Sequence, residues 1–161
     1  PKPLVGICLG MQLLMTESHE FGSHHGLGVI EGEVLSLKVA VEGTRVLKVP
    51  QVGWNQIDAV GSDGHENNTE VSNGPWDSPL LEGLSDGEYM YFVHSYYPDP
   101  VDARTVVSTT RYGDTEFCSS LNLGSVFACQ YHPERSGPAG LRIYHNLAEL
   151  ISTQQPEQIN V

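Results

Sequence analysis

Residues 1–15 read Pro-Lys-Pro-Leu-Val-Gly-Ile-Cys-Leu-Gly-Met-Gln-Leu-Leu-Met. A short apolar run ends in two closely spaced glycines, Gly6 and Gly10, and Met11, Leu13, Leu14 and Met15 follow among helix formers. That order predicts a strand, a sharp turn at Cys8 and a helix. Downstream, Glu20 to Gly28 is rich in Gly, His and Ser with no apolar period, the composition of a surface loop. Val29/Leu35/Leu37, Val46/Leu47/Val49 and Val52/Trp54/Ile57 form short runs punctuated by Gly and Pro, which predict antiparallel strands on a sheet's flank. Ala59 to Pro79 carries Gly61, Gly64, Asn67, Asn68, Asn73 and Gly74 and reads as a long loop or frayed hairpin, where disorder is expected. Tyr89 to Tyr97 is a strongly β-forming run, and Thr105–Thr110, Glu116–Ser120 and Ser125–Tyr131 follow as further strands. After a Gly137-Pro138-Ala139-Gly140 turn, Leu141, Ile143, Tyr144, Leu147, Leu150 and Ile151 recur at helical spacing, predicting a closing amphipathic helix. Ser152 to Val161 reads as a loose tail. No internal repeat or linker divides the chain.

The 161 residues are 39% hydrophobic, 17% charged and 8% aromatic, the profile of one soluble globular domain. No apolar run approaches the roughly 20 residues of a membrane-spanning helix, and no charged-then-apolar leader is present, so neither membrane insertion nor secretion is expected. Eight Lys and Arg stand against 20 Asp and Glu, a net charge of −12, and no basic stripe offers itself to a phosphate backbone. Nucleic-acid binding is thereby disfavoured. Three cysteines, Cys8, Cys118 and Cys129, fit neither a disulfide framework nor a zinc ribbon, so a reducing, cytoplasmic setting is expected.

Gly6-Ile-Cys8-Leu-Gly10 has the spacing of a Gly-x-Ser-x-Gly nucleophile elbow. Small residues two positions either side allow a strained turn that exposes the sulfur, while the helix N-terminus is expected to favour thiolate. The Leu9 backbone N–H then suits an oxyanion donor. A lone cysteine in this place is usually a small apolar residue closing a buried strand, and the glycine bracket is what points to a nucleophile. A nucleophilic thiol needs a base, and His132 follows an apolar strand in Cys-Gln-Tyr-His132-Pro-Glu134-Arg-Ser-Gly. With Pro133 holding an extended backbone, His132 and Glu134 are expected to point to one side, so that the carboxylate orients the imidazole. A His-Pro-Glu turn alone is usually surface decoration; paired with the Cys8 elbow it reads as a triad. His24-His25 lacks a third ligand at metal spacing and reads as a solvated loop, so no metal site and no cofactor are expected. Cys118 and Cys129 lie in strands without a neighbouring base and read as buried small hydrophobes.

Gly-Ile-Cys-Leu-Gly-Met-Gln near one end and Gln-Tyr-His-Pro-Glu-Arg-Ser-Gly near the other resemble the two signatures of class I (triad) glutamine amidotransferases. Pro50-Gln-Val-Gly-Trp-Asn55 and Tyr91-Phe-Val-His-Ser-Tyr96 resemble segments of one branch, the glutaminase subunits of imidazole glycerol phosphate synthase in histidine biosynthesis. The likeness runs in order from Pro3 to about Leu150. It implies an α/β, flavodoxin-like three-layer fold with a central, mostly parallel sheet and antiparallel flank strands, as one amidotransferase domain over residues 1–151 and a tail over 152–161. It further implies that Cys8 attacks the side-chain amide of glutamine to form a glutamyl thioester, that His132 moves the proton and then activates water, and that Glu134 orients His132. Ammonia would pass to a cyclase subunit in a heterodimer. By the same likeness Gln12, His94, Ser95 and Tyr96 hold glutamine, and Trp54, Tyr91 and Arg135 face the cyclase. As residues alone, Tyr89, Tyr91 and Val93 alternate as an ordinary sheet face does, and His94 reads equally as a satisfied sheet histidine.

Only seven residues precede Cys8, whereas the elbow of this family follows a central strand flanked by earlier βαβ units. The early parallel strands, and the loop carrying the second oxyanion donor, are therefore expected to be absent from these 161 residues. Losing one such donor costs about 100- to 1,000-fold in rate, so the chain by itself is expected to be inactive or nearly so. Other readings stay open. The glutaminases of anthranilate, GMP or CTP synthesis share the cysteine and His-Pro-Glu motifs, although Gly-Trp-Asn and Phe-Val-His-Ser-Tyr argue against them. A cysteine hydrolase is compatible with the order Cys then His, and an acidic α/β interaction module would leave Cys8 in the core.

Overall fold

The computed structural model describes residues 2–38, 41–42, 45–60 and 75–154. Strand β1 (Leu4–Ile7) and helix α1 (Leu9–Leu13) meet at Cys8, and β2 (Glu17–Ser18), β3 (His24–His25) and β4 (Gly32–Ser36) follow. A short hairpin of β5 (Val41–Glu42) and β6 (Arg45–Val46) leads to the long β7 (Gln51–Ala59). Strands β8 (Glu88–His94), β9 (Tyr96–Pro100), β10 (Val106–Tyr112), β11 (Thr115–Leu123) and β12 (Val126–Cys129) then precede the closing helix α2 (Gly137–Gln154).

Among the described residues, the main sheet runs β1-β12-β11-β10-β7-β8 and a smaller one runs β3-β2-β4-β9. The parallel character implied for the sheet is carried in its main part by β1 and β12, with Ile7 opposite Cys129; the other pairings there are antiparallel. Connection length is the reason. Gly113-Asp114 joins β10 to β11 and Gly124-Ser125 joins β11 to β12, each opening on a glycine at φ 62° or 59°, and two-residue links join only antiparallel neighbours. The β1–β12 pair instead needs the whole intervening chain as its crossover.

The sheet is covered on both faces. Along β12, Phe127 and Cys129 pack with Phe92, Phe117, Tyr131 and Ile143 of α2, whereas Ala128 packs with Met11, Leu14, Met15 and Val34 on the α1 and β4 side. Burial on two faces explains why Ser125–Tyr131 reads as a continuous apolar run rather than an alternating one. Asn146 pins α2 laterally, donating from Nδ2 to the carbonyls of Leu80 (3.0 Å) and Glu82 (2.9 Å).

Several elements differ from expectation. The Tyr89–Tyr97 run is two strands in two sheets, broken at Ser95. His94 lies opposite Gln51 of β7 and Tyr96 opposite Ser36 of β4, while the Ser95 carbonyl accepts from Leu37 N (2.8 Å). Local β propensity is uniform across the run, so the switch is set by competing partner strands. The Gly137–Gly140 stretch is the first turn of α2, not a turn before it: Gly137 sits at φ 61°, and Pro138 supplies a preset helical φ where no N–H is needed. The 20–28 loop contains the exposed strand β3. Helix α2 runs to Gln154, into the stretch read as a tail. Residues 61–74 of the long loop and 155–161 of the tail lie outside the described residues. Among the described residues no helix is long and apolar enough to cross a membrane.

Candidate active site

Cys8 occupies a backbone conformation of φ 52°, ψ −107°, rare for a residue with a Cβ. It is held there from both sides. Its N–H donates to Cys129 O (2.7 Å), tying it to the end of β12, and its carbonyl accepts from Met11 N (3.0 Å) and Gln12 N (3.2 Å), opening α1. The two flanking glycines are not equivalent. A Cβ on Gly6 would stand 3.0 Å from the Gly10 carbonyl carbon and oxygen, whereas a Cβ on Gly10 would meet open space. Gly6 is therefore what lets α1 fold back over β1; the bracket's second glycine is not required by packing.

Burial pushes the Cys8 thiol above its ordinary range, and the Glu134 carboxylate adds to that. The Leu9 N–H and the Gln130 carboxamide, which donates from Nε2 to Sγ (3.5 Å), act the other way. The helix N-terminus does favour thiolate, through the Leu9 N–H, but α1 is one short turn and desolvation outweighs it in the resting site. Deprotonation has to come from a base.

His132 caps a 3-10 turn, Pro133–Arg135, rather than entering an extended segment. The turn still brings Glu134 Oε1 to 2.7 Å from His132 Nδ1, so the carboxylate selects the tautomer with the proton on Nδ1. Nε2 is then a bare acceptor, and it is buried with no hydrogen-bond partner. The main chain is fixed by β8: His132 N donates to Tyr91 O (2.9 Å), and Ser136 Oγ donates to His132 O (2.6 Å) while accepting from Tyr91 N (2.9 Å). Gly140 makes room for the turn, since a Cβ there would run into Pro133 O.

Of the four residues expected around glutamine, Gln12 and His94 meet at the carbonyl of a third, Tyr96. Gln12 Nε2 donates to Tyr96 O (2.8 Å) and to Gln130 Oε1 (3.0 Å). His94 Nδ1 also donates to Tyr96 O (2.8 Å), and its Nε2 lies 3.1 Å from the Gln51 carboxamide. His94 is buried, with its pKa lowered by desolvation to about 4. A neutral imidazole with both nitrogens engaged supports the Tyr96 main chain rather than presenting a free nitrogen to a ligand. Ser95, half-buried at the β8–β9 break, and the Tyr96 ring, 6.5 Å from that of Phe21, border the same region.

Trp54, Tyr91 and Arg135 form one stack. The Trp54 and Tyr91 rings, opposite each other in β7 and β8, meet edge-to-face at 6.0 Å, and the Arg135 guanidinium lies 4.5 Å over the Tyr91 ring. Trp54 remains 56% exposed. His24 and His25 are exposed, and Cys118 and Cys129 are buried with thiols pushed up by desolvation. Gln130, Gln51 and Ser136 were missed in the sequence. For Gln130 a signal existed: it interrupts the apolar run Val-Phe-Ala-Cys and lies two residues before His132, on the same side of an extended chain. Gln51 acts through His94, 43 residues away, and Ser136 joins His132, four residues back, to Tyr91, 45 residues away.

The family model for glutamine amidotransferase class-I matches residues 1–149. The chain is 42% identical over 146 residues to the imidazole glycerol phosphate synthase subunit HisH of Chlorobium luteolum, covering 91% of this chain and 63% of that protein. It is 45% identical over 150 residues to the HisH subunit of Syntrophotalea carbinolica, covering 92% and 65%. The chain thus spans just under two thirds of the length of these relatives. A crystal structure of a putative GMP synthase subunit from Thermoplasma acidophilum shares the fold at TM-score 0.58 and 16% identity, over 94% of this chain and 58% of that one. A glutamine amidotransferase from Thermotoga maritima does so at TM-score 0.50 and 19%, over 96% and 50%. On the match along nearly its whole length, joined to an elbow cysteine and a His-Pro-Glu turn in one site, the chain belongs to the class I glutamine amidotransferase family.

Proposed function

We propose that this chain carries the glutaminase centre of an imidazole glycerol phosphate synthase, releasing ammonia from glutamine for a cyclase subunit in a reducing cytoplasm. The observation that carries the reading is the convergence of the Cys8 elbow with the His132–Glu134 pair across adjacent strand ends. His132 Nε2, a bare and buried acceptor, takes the Sγ proton as sulfur adds to the side-chain carbonyl carbon of glutamine. The Leu9 N–H receives the developing oxyanion. On collapse the C–N bond breaks and His132 returns the proton to the departing nitrogen, leaving a glutamyl thioester. Water, deprotonated by the same nitrogen, then adds to the thioester, and C–S cleavage releases glutamate and the free thiol. Glu134 holds the imidazole and offsets the charge it acquires.

Gln12 keeps Oε1 free while spending its N–H groups on protein, which suits an acceptor for the α-ammonium of glutamine. Ser95 and Tyr96 line the same place, and His94 positions the Tyr96 carbonyl. The exposed Trp54–Tyr91–Arg135 stack adjoins His132 through the Tyr91 carbonyl and is the surface for the cyclase. Identities of 42 and 45% to HisH subunits favour this branch over the anthranilate, GMP and CTP enzymes. The test is glutamate release from glutamine by the full-length protein, with and without an imidazole glycerol phosphate cyclase subunit, beside a Cys8→Ala control. Partner-stimulated release that vanishes in the control is expected; release that survives Cys8→Ala overturns the assignment of the nucleophile.

A further inference from the structure

We propose that Gln130 is the side-chain donor that holds the Cys8 sulfur for attack, and that Gln12 sets its direction, so that nucleophile and substrate pocket share one amide relay. The inference rests on the reading of Cys8 as nucleophile. The orientation of each amide follows from a single main-chain group. Tyr96 O can only accept, so the Gln12 atom 2.8 Å away bears hydrogen. That same nitrogen lies 3.0 Å from the Gln130 carboxamide, where its second N–H requires an acceptor, so the Gln130 oxygen faces Gln12. Gln130 Nε2 is thereby turned to Cys8 Sγ at 3.5 Å.

Among the described residues no other hydrogen bond sets that amide. Gln130 is 0% exposed, and its main chain is held by a 2.9 Å hydrogen bond from its N–H to Ser119 O on β11. A buried carboxamide whose oxygen is taken keeps its N–H groups for whatever lies beside them. A donor at sulfur stabilises thiolate more than thiol, so it opposes the burial and the Glu134 charge and eases proton transfer to His132. The relay also gives Gln12 two tasks. A ligand that accepts at neither N–H but donates to the free Oε1 polarises the amide and strengthens its donation to Gln130.

The experiment is the pH dependence of Cys8 alkylation by iodoacetamide, read by peptide mass, in the 161-residue chain and its Gln130→Met and Gln130→Glu variants. Buried Cys118 and Cys129 keep the label on Cys8. Loss of one hydrogen bond to a charged sulfur is expected to raise the alkylation midpoint by about one pH unit in Gln130→Met, which is about tenfold in rate below the midpoint. The carboxylate of Gln130→Glu is expected to raise it further. A folded Gln130→Met with the parent midpoint overturns the proposal. If that variant does not fold by circular dichroism, Gln12→Met decides: it leaves the buried residue intact but frees its amide to rotate, and an unchanged midpoint there overturns the proposal equally. Alkylation needs neither glutamine nor a partner. Glutamate release is read separately, on the full-length protein with the cyclase subunit: a shifted midpoint with no release there keeps the relay and overturns the glutaminase reading, and an unshifted midpoint with release does the reverse.

Discussion

Cys8 holds a strained backbone conformation at the turn proposed to present its sulfur. At φ 52° a Cβ is disfavoured, and such a conformation costs on the order of 1–3 kcal/mol. Cys8→Gly is therefore expected to be more stable than Cys8→Ala by about 1 kcal/mol or more in urea unfolding, although neither turns over glutamine. Equal stabilities would show that the elbow is unstrained. His94 has a different signature. Folding lowers its pKa from 6.5 to about 4 because the ring is desolvated, so the unfolded chain takes up the proton first. Its contribution is full above pH 6.5, is lost as pH falls towards 4, and reaches about 3 kcal/mol over that window. His94→Gln should flatten this part of the stability–pH curve; a slope unchanged in the variant would assign it to other groups. Cys8, His132 and Glu134 were legible in sequence because glycine spacing and a His-Pro-Glu turn are local patterns. His94 was legible as a residue but not in its task, because the groups that engage its nitrogens, Tyr96 O and Gln51, are set by strand pairing.

Elements are fitted to the site at two glycines. Gly6 lets the backbone of α1 approach β1, and Gly140 lets α2 approach the His-Pro-Glu turn. Gly6→Ala is expected to cost about 1–3 kcal/mol, whereas Gly10→Ala, open in space and inside a helix, should be neutral or stabilising by up to about 1 kcal/mol. A comparison of the two melting curves checks this. Gly140→Ala should be the most damaging of the three, since its Cβ meets a carbonyl oxygen on the segment that carries His132 and Glu134. In the full-length protein it is expected to lose glutaminase activity at temperatures where the fold persists, and full activity with an unchanged melting curve would remove α2 from the control of His132. Strand and helix types were legible from periodicity and propensity. The division of the Tyr89–Tyr97 run was not, because both halves have the same propensity and differ only in partner strand.

At the scale of the whole molecule, β8 links the His132 turn to an exposed aromatic stack, the two parts proposed for chemistry and for docking. Tyr91 holds His132 through its main chain and stacks on Trp54 and Arg135 through its ring. Trp54→Ala should therefore leave the stability of the free chain within about 0.5 kcal/mol and the alkylation of Cys8 unchanged, while weakening cyclase binding by about 2 kcal/mol, as for an aromatic anchor. Calorimetric titration with the cyclase measures this, and parent affinity in the variant would place the interface elsewhere. The sequence by itself determined the family, the elbow, the pairing of His132 with Glu134, and most strands and helices, because each is written within a few consecutive residues. Only the tertiary structure decided that burial outweighs the helix N-terminus at Cys8, that His94 supports rather than presents, and that Gln130 reaches the sulfur. Those outcomes depend on which distant groups are packed together without water, and desolvation and amide direction have no local spelling.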